Sequence, residues 1–126
     1  MEDLEIIYSY SRAQAIEDGV LIDVTETVKK AGIIYPTAIT NGLYSQYIVP
    51  EPILQESEDT INIRILSVLY SLISAIKESK KNHSYIFFTA PIVFPNGQHV
   101  EARLWASVGG GDNGEPVITV MLEGED

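Results

Sequence analysis

The chain contains no cysteine. That excludes a disulfide framework, thiolate metal sites and a cysteine nucleophile together, and it fits a reducing compartment. Basic residues are scarce: eight Lys and Arg stand against eighteen Asp and Glu, for a net charge of −10. A field of that sign opposes docking on phosphate backbones, so direct nucleic-acid binding is not expected. It favours solubility and speeds encounter with a basic protein surface. Histidine is as sparse, with only His83 and His99, and neither stands in a metal-ligand or triad spacing. Acids are plentiful, yet no pair is placed for general acid–base work. No catalytic residue, metal or cofactor is expected, and the chain does not read as an enzyme.

Long apolar runs are missing as well. Ile61 to Ile76 is interrupted by Asn62, Arg64, Ser67, Ser71 and Ser74 and reads as too short to span a bilayer. The start, Met1-Glu2-Asp3, is acidic and lacks a basic-then-apolar leader. The expectation is a soluble cytoplasmic protein that does not engage membranes.

What is present is an ordinary globular composition. The chain has 126 residues, 45% of them hydrophobic and 21% charged, which suits one domain spanning 1–126 with a real core. Leu4 to Tyr8 reads as a short strand or extended arm. Ser11 and Gln14 form a capping box for a first helix, which Gly19 stops. Asp23 and Glu26 form a second box, for a helix running to Lys29, Lys30 and Gly32 with acid first and base last. From Thr37 to Val49, Ile39, Leu43, Tyr47 and Tyr44, Ile48 recur at helical spacing. Asp59 reads as the cap of the longest helix, about residues 60–81, with a buried stripe through Ile61, Ile65, Leu69, Leu72, Ile73 and Ile76. Ser67, Ser71 and Ser74 make a small-residue seam on it.

After Asn82 the period changes to 2. Ser84–Phe94, Gln98–Val108 and Pro116–Leu122 read as strands, with Asn96-Gly97 as a two-residue hairpin turn. The expected fold is therefore α+β: N-terminal helices, including the long one, packed on a C-terminal three-stranded antiparallel meander with room for the N-terminal strand at its edge.

Three features could carry function. Gly109-Gly110-Gly111-Asp112-Asn113-Gly114 matches GxGxxG literally, but a strand follows it rather than a helix, so a hairpin loop is the better reading. His99, Glu101, Arg103 and Trp105 share one strand face. An open aromatic beside an arginine suits an interface anchor or a stacking pocket. The structural alternative has a helix covering the face, Trp105 in the core and Arg103 pairing with Glu101. The third feature is the opening, from Tyr8 to Thr25. Glu17 and Asp18 lie at a helix C-terminus, where negative charge is unfavourable. They either pair with Lys29 or Lys30, or join Arg12, Gln14 and Asp23 in a recognition surface.

The string Tyr10-Ser11-Arg12-Ala13-Gln14-Ala15-Ile16-Glu17-Asp18-Gly19-Val20-Leu21-Ile22-Asp23-Val24-Thr25 carries a resemblance, together with Gly114-Glu115-Pro116-Val117-Ile118-Thr119-Val120-Met121-Leu122 and Gly124-Glu125-Asp126. It is similar to a family of small bacterial proteins of unassigned function found on plasmids, phages and other mobile elements. The resemblance implies a setting and brings no catalytic residues.

Two classes of function follow. One is a protein-binding inhibitor of host defence. It expects a clustered acidic patch on one face, drawn from Glu17, Asp18, Asp23, Glu56, Glu58 and Asp59, to meet a basic surface of a host protein. The other is a protein that sequesters a small nucleotide-like ligand, with Arg12, Arg64 or Arg103 converging on aromatic rings. A homodimer is compatible with either, because the apolar last strand, Val117 to Leu122, needs cover. The residues expected to meet a partner or ligand are Arg12, Glu17, Asp18, Asp23, His99, Arg103 and Trp105.

Overall fold

A computed structural model describes residues 10–50, 56–79 and 84–125. The elements in chain order are α1 (Arg12–Glu17), β1 (Leu21–Asp23), α2 (Thr25–Lys29), β2 (Thr37–Thr40), α3 (Asn41–Leu43), α4 (Glu58–Glu78), β3 (Tyr85–Val93), β4 (His99–Val108) and β5 (Ile118–Leu122). A π-helical turn, Tyr44–Ile48, continues α3.

The expected three-stranded antiparallel meander is not what the chain builds. The sheet has five strands in the order β1-β2-β5-β4-β3. Its β2–β5 pair is parallel and the other pairs are antiparallel. The helix read over Thr37 to Val49 is in fact strand β2 followed by a short helical segment. Thr40 sits at the junction, where its side chain accepts from the Leu43 N–H and caps α3. Strand β5 lies between β2 and β4, so the cover sought for it from a second copy is supplied within the chain. The strand read over Leu4 to Tyr8 lies outside the described residues.

Strand alternation sorts the side chains onto two faces. On the first, Ile39, Val120, Ala106, Leu104, Ala102, Phe88, Ala90 and Ile92 form the core with Ile65, Val68, Leu69 and Leu72 of α4 and Val28 of α2. Each fully buried aliphatic contributes roughly 1.5–3 kcal/mol.

Helix α4 starts earlier than expected. Ser57, rather than Asp59, is its N-cap, accepting from the Thr60 N–H at 3.2 Å. Its 21 residues, a longer stretch than the run from Ile61 to Ile76, are long and apolar enough to cross a membrane by length and composition alone. Here α4 runs along β3, the edge strand. The Ser67 hydroxyl donates to the Pro91 carbonyl at 3.0 Å, and Arg64 Nε donates to the Val93 carbonyl at 3.0 Å. Pro91 has no N–H to leave unpaired, which suits an edge. Arg64 also donates to the Ile48 carbonyl at 2.8 Å and forms a bidentate ion pair with Glu56. Both side chains are buried, at 5% and 8% exposure.

The β3–β4 hairpin closes through a turn over Phe94–Gly97, in which the Gly97 N–H meets the Phe94 carbonyl at 2.9 Å. The last strand bond before it joins Phe94 to Gln98, so three residues make the loop instead of two. The Asn96 side chain accepts from the Gln98 N–H, and Gly97 adopts positive φ.

Candidate functional site

The second sheet face is where residues 10–20 meet residues 110–125. Ser11 caps α1 by accepting from the Gln14 N–H at 3.0 Å, and Gly19, at φ +78°, turns the chain into β1. The first two amides of α1 have a remote partner. Asp112, from the glycine-rich loop, accepts from Arg12 N–H at 2.7 Å and Ala13 N–H at 3.0 Å. These bonds, with that from Ala13 the larger, hold the Asp112 carboxyl below the usual carboxylate range. The loop thus acts as a helix cap at long range. The Arg12 guanidinium donates to Thr119 Oγ1 at 2.5 Å and to the Ile118 carbonyl at 2.8 Å. Burial pulls its pKa down, while the charges of Asp23, Asp112 and Glu115 oppose that shift. Arginine remains charged in such a setting.

The C-terminal turn closes the other side. Glu125 Oε1 accepts from the Thr40 hydroxyl and from the Leu122 N–H, both at 2.7 Å. A Cβ on Gly42 would stand 2.8 Å from Glu125 Oε2, so an added methyl would press on this carboxylate. Between α1, the β2–α3 junction and this turn lies an open cleft of about 620 Å³. Ala15, Leu21 and Met121 line it, with Arg12, Asp18, Asn41 and Glu125 among its polar groups.

Beyond the cleft, no helix covers β3 and β4 on this face among the described residues. Phe87 and Trp105 are cross-strand partners, with ring centroids 6.1 Å apart and planes tilted by 30°. Tyr85 stands edge-on to both, at 6.1 and 6.5 Å. Phe87 is 61% exposed and Tyr85 54%. Trp105 is half-buried, and its indole N–H donates to the Glu125 carbonyl at 3.0 Å, fixing the ring. His99, Glu101 and Arg103 are exposed on the same face. Among the described residues the Arg103 side chain has no ion-pair partner within 4.0 Å, so the expected Arg103–Glu101 pair does not form. Aromatic rings beside an exposed arginine are what protein-binding hot spots are made of.

With this geometry in view, comparison with known proteins places the chain. Its sequence matches a family of unknown function (DUF6573) over residues 1–126. The protein belongs to DUF6573. No curated protein and no solved structure matches it.

In this DUF6573 member, the residues expected to meet a partner divide into three sets. Arg12 and Asp18 line the cleft, Asp18 accepting from the Tyr10 hydroxyl at 2.6 Å, which raises the Tyr10 pKa. Neither Glu17 nor Asp18 pairs with Lys29 or Lys30. Lys29 pairs instead with Glu26 at 3.5 Å. Asp23 is turned to structural use: its Oδ1 accepts from the Thr25 N–H at 3.0 Å and from the Thr25 hydroxyl. Val24 therefore occupies the cap position, and the expected Asp23–Glu26 box does not form. His99, Arg103 and Trp105 share the open face with Tyr85 and Phe87.

The acids from which one patch was expected sit on several elements. Glu17, Asp18 and Asp23 belong to α1 and β1, whereas Glu58 and Asp59 open α4, and Glu56 is buried against Arg64. The three arginines are separated too, because Arg64 serves α4 and the core face while Arg12 is tied to β5. Tyr85, Phe87, Asp112 and Glu125 went unnoticed as site residues. Tyr85 and Phe87 did lie on the alternating face of a recognised strand opposite Trp105, which was their one available signal. Among the described residues, no group of three or more His, Asp or Glu is placed to hold a metal ion.

Proposed function

We propose that this protein acts by binding a protein partner through the open half of its sheet, with Tyr85, Phe87 and Trp105 as anchors and Arg103 at their rim. In the mobile-element setting that the sequence resembles, the partner is a cytoplasmic host protein of a defence system, and binding blocks it. The single observation that carries the reading is the exposed aromatic ridge. A contiguous set of rings packed on one another is costly to leave in water, and the hydrogen-bonded Trp105 loses little entropy on docking. The acidic balance of the chain contributes to encounter rather than to the anchor, since Tyr85, Phe87 and Trp105 are uncharged.

The alternative, sequestration of a nucleotide-like ligand, called for a pocket in which Arg12, Arg64 or Arg103 converges with aromatic rings. Arg64 is ion-paired with Glu56 and Arg12 is bonded to β5, and although Arg103 shares a cleft with Tyr47, Glu101 and Glu123 line it too and oppose a phosphate-bearing ligand, so the protein-binding reading is preferred. The test is affinity capture from host lysate with the wild type and Phe87→Asp, followed by mass spectrometry of proteins and small molecules. The expected result is a stoichiometric host protein retained by the wild type and lost with Phe87→Asp. Equal capture by both, or a co-eluting nucleotide with no protein, refutes the proposal.

A further inference from the structure

We infer that the protein partner enters as a strand, an extended and uncharged segment of it pairing with the open half of the β3 edge beside the aromatic ridge. Strand β3 ends the sheet, so one side of its backbone faces no other strand. The Val108 N–H donates to the Ser84 carbonyl and the Phe94 N–H to the Gln98 carbonyl. With the β3–β4 register, these bonds direct the even-numbered residues of β3 to β4 and the odd-numbered ones outward. The chain closes one half of that edge itself. Pro91 has no N–H, its carbonyl accepts from Ser67, and the Val93 carbonyl accepts from Arg64 Nε. Among the described residues, the outward N–H and C=O groups of Phe87 and Thr89 have no partner.

Backbone chemistry selects the occupant. Donors and acceptors at strand spacing are matched by another polypeptide in extended form, and strand addition to an open edge is a recurring way to bind a peptide. Edges that are kept from pairing carry charge or proline. From Tyr85 to Ala90 there is neither. A second copy of this chain is opposed by the repulsion between two chains of −10. The role of the edge rests on the ridge being the partner's anchor, and Phe87 belongs to both. Its ring packs on Trp105, while its amide and carbonyl face outward along the edge.

Alternation then places the side chains of the added segment. Residues standing beside Phe87 and Thr89 lay theirs on the second face, where they extend the row of Phe87 and Trp105. The residue between them points to the first face, toward α4. There Leu66, Ser67, Tyr70, Ser71 and Ser74 border a shallow groove of about 480 Å³ against Pro91. The serines are short and leave room for a side chain entering from the edge. The small-residue seam on α4 thus gains a use that packing within the chain does not give it. β-Branched and aromatic residues suit both sides of such a strand.

Selection of phage-displayed random peptides of about ten residues on the immobilised full chain tests this. The best binder is then titrated against the wild type, Thr89→Pro, Thr89→Ala and Phe87→Asp, with folding checked by circular dichroism. Thr89 is exposed and its N–H faces away from β4, so proline there removes the outward donor and leaves the β4 pairing and the ridge rings in place. The peptide is expected to be uncharged at its centre and rich in β-branched or aromatic residues. It should bind the wild type and Thr89→Ala alike, and lose at least about tenfold in affinity with Thr89→Pro and with Phe87→Asp. Methylating the peptide's amide nitrogens gives a second reading that needs no variant. Methyls on one alternate set of residues should abolish binding, and methyls on the other set should leave it. Loss with Phe87→Asp alone overturns the strand and keeps the ridge, loss with Thr89→Pro alone keeps the strand and removes the ridge, and loss with neither overturns both. Selection of no peptide, or equal binding by both methylated sets, overturns the inference. So does self-association of the wild type in sedimentation equilibrium that Thr89→Pro abolishes, because the occupant is then a second copy.

Discussion

Replacing Glu56 by alanine tests how the segment before α4 is held. The Arg64 guanidinium is buried and has three partners: the Glu56 carboxylate, the Ile48 carbonyl and the Val93 carbonyl. It thereby joins the π-helical turn, α4 and the edge strand at one point. Removing Glu56 leaves the cation buried and without a counter-charge, a change that costs about 3–5 kcal/mol. For a domain of this size each kcal/mol lowers Tm by roughly 3–5 °C, so Glu56→Ala should melt about 10–20 °C below the wild type. The double variant Glu56→Ala with Arg64→Met removes the orphaned charge and fills the space with an apolar chain. It still leaves the Ile48 and Val93 carbonyls without their donor, at about 1 kcal/mol each. The double variant should therefore be more stable than Glu56→Ala alone. Urea denaturation of the wild type and both variants measures this. If Glu56→Ala lies within about 1 kcal/mol of the wild type, or the double variant is the least stable, the buried-charge argument fails.

Two further outcomes follow from the second face. Gly42→Ala adds a Cβ 2.8 Å from Glu125 Oε2, displacing the carboxylate from Thr40 and Leu122, so it should destabilise the wild type. In a Glu125→Ala background the same change should instead stabilise by up to about 1 kcal/mol through helix propensity, and urea midpoints showing one sign in both backgrounds would refute the close-approach argument. Asp112→Asn weakens the remote cap on α1. Because the folded-state pKa of Asp112 is depressed, its stabilisation is present above the unfolded-state value and is lost as pH falls through the folded one. The stability gap between wild type and Asp112→Asn should thus be largest near neutrality and narrow below about pH 4, as read from urea midpoints across pH.

Local features of the sequence carried over where their partners are also local. Ser11 bonds to an amide three residues away, Gly19 needs only its own φ, and the α4 stripe repeats within one helix. Strand β2 misled the period for a physical reason. All four of its residues, Thr37 to Thr40, are buried, because the sheet is covered on both sides there. A strand buried on both faces has no polar alternation to read, and Ile39 then falls into helical spacing with Leu43. β1 has three residues, too few to show any period. The β2–β5 parallel pair joins residues far apart in the chain, which short-range periodicity does not encode.

The candidate site divides along the same line. Composition and local pattern by themselves determined an acidic, cysteine-free α+β chain with a long core helix, a β3–β4 hairpin and Trp105 alternating with Arg103 on one strand face. Only the tertiary structure decided what those side chains meet. It closed the sheet order with a parallel strand, set Asp112 on the α1 amides across a separation of 100 residues, and divided the six acids between elements. It also left Phe87 and Tyr70 exposed. Side-chain type and local spacing are written in consecutive residues, whereas exposure depends on which distant segment arrives to cover them, and that is settled when the whole chain packs.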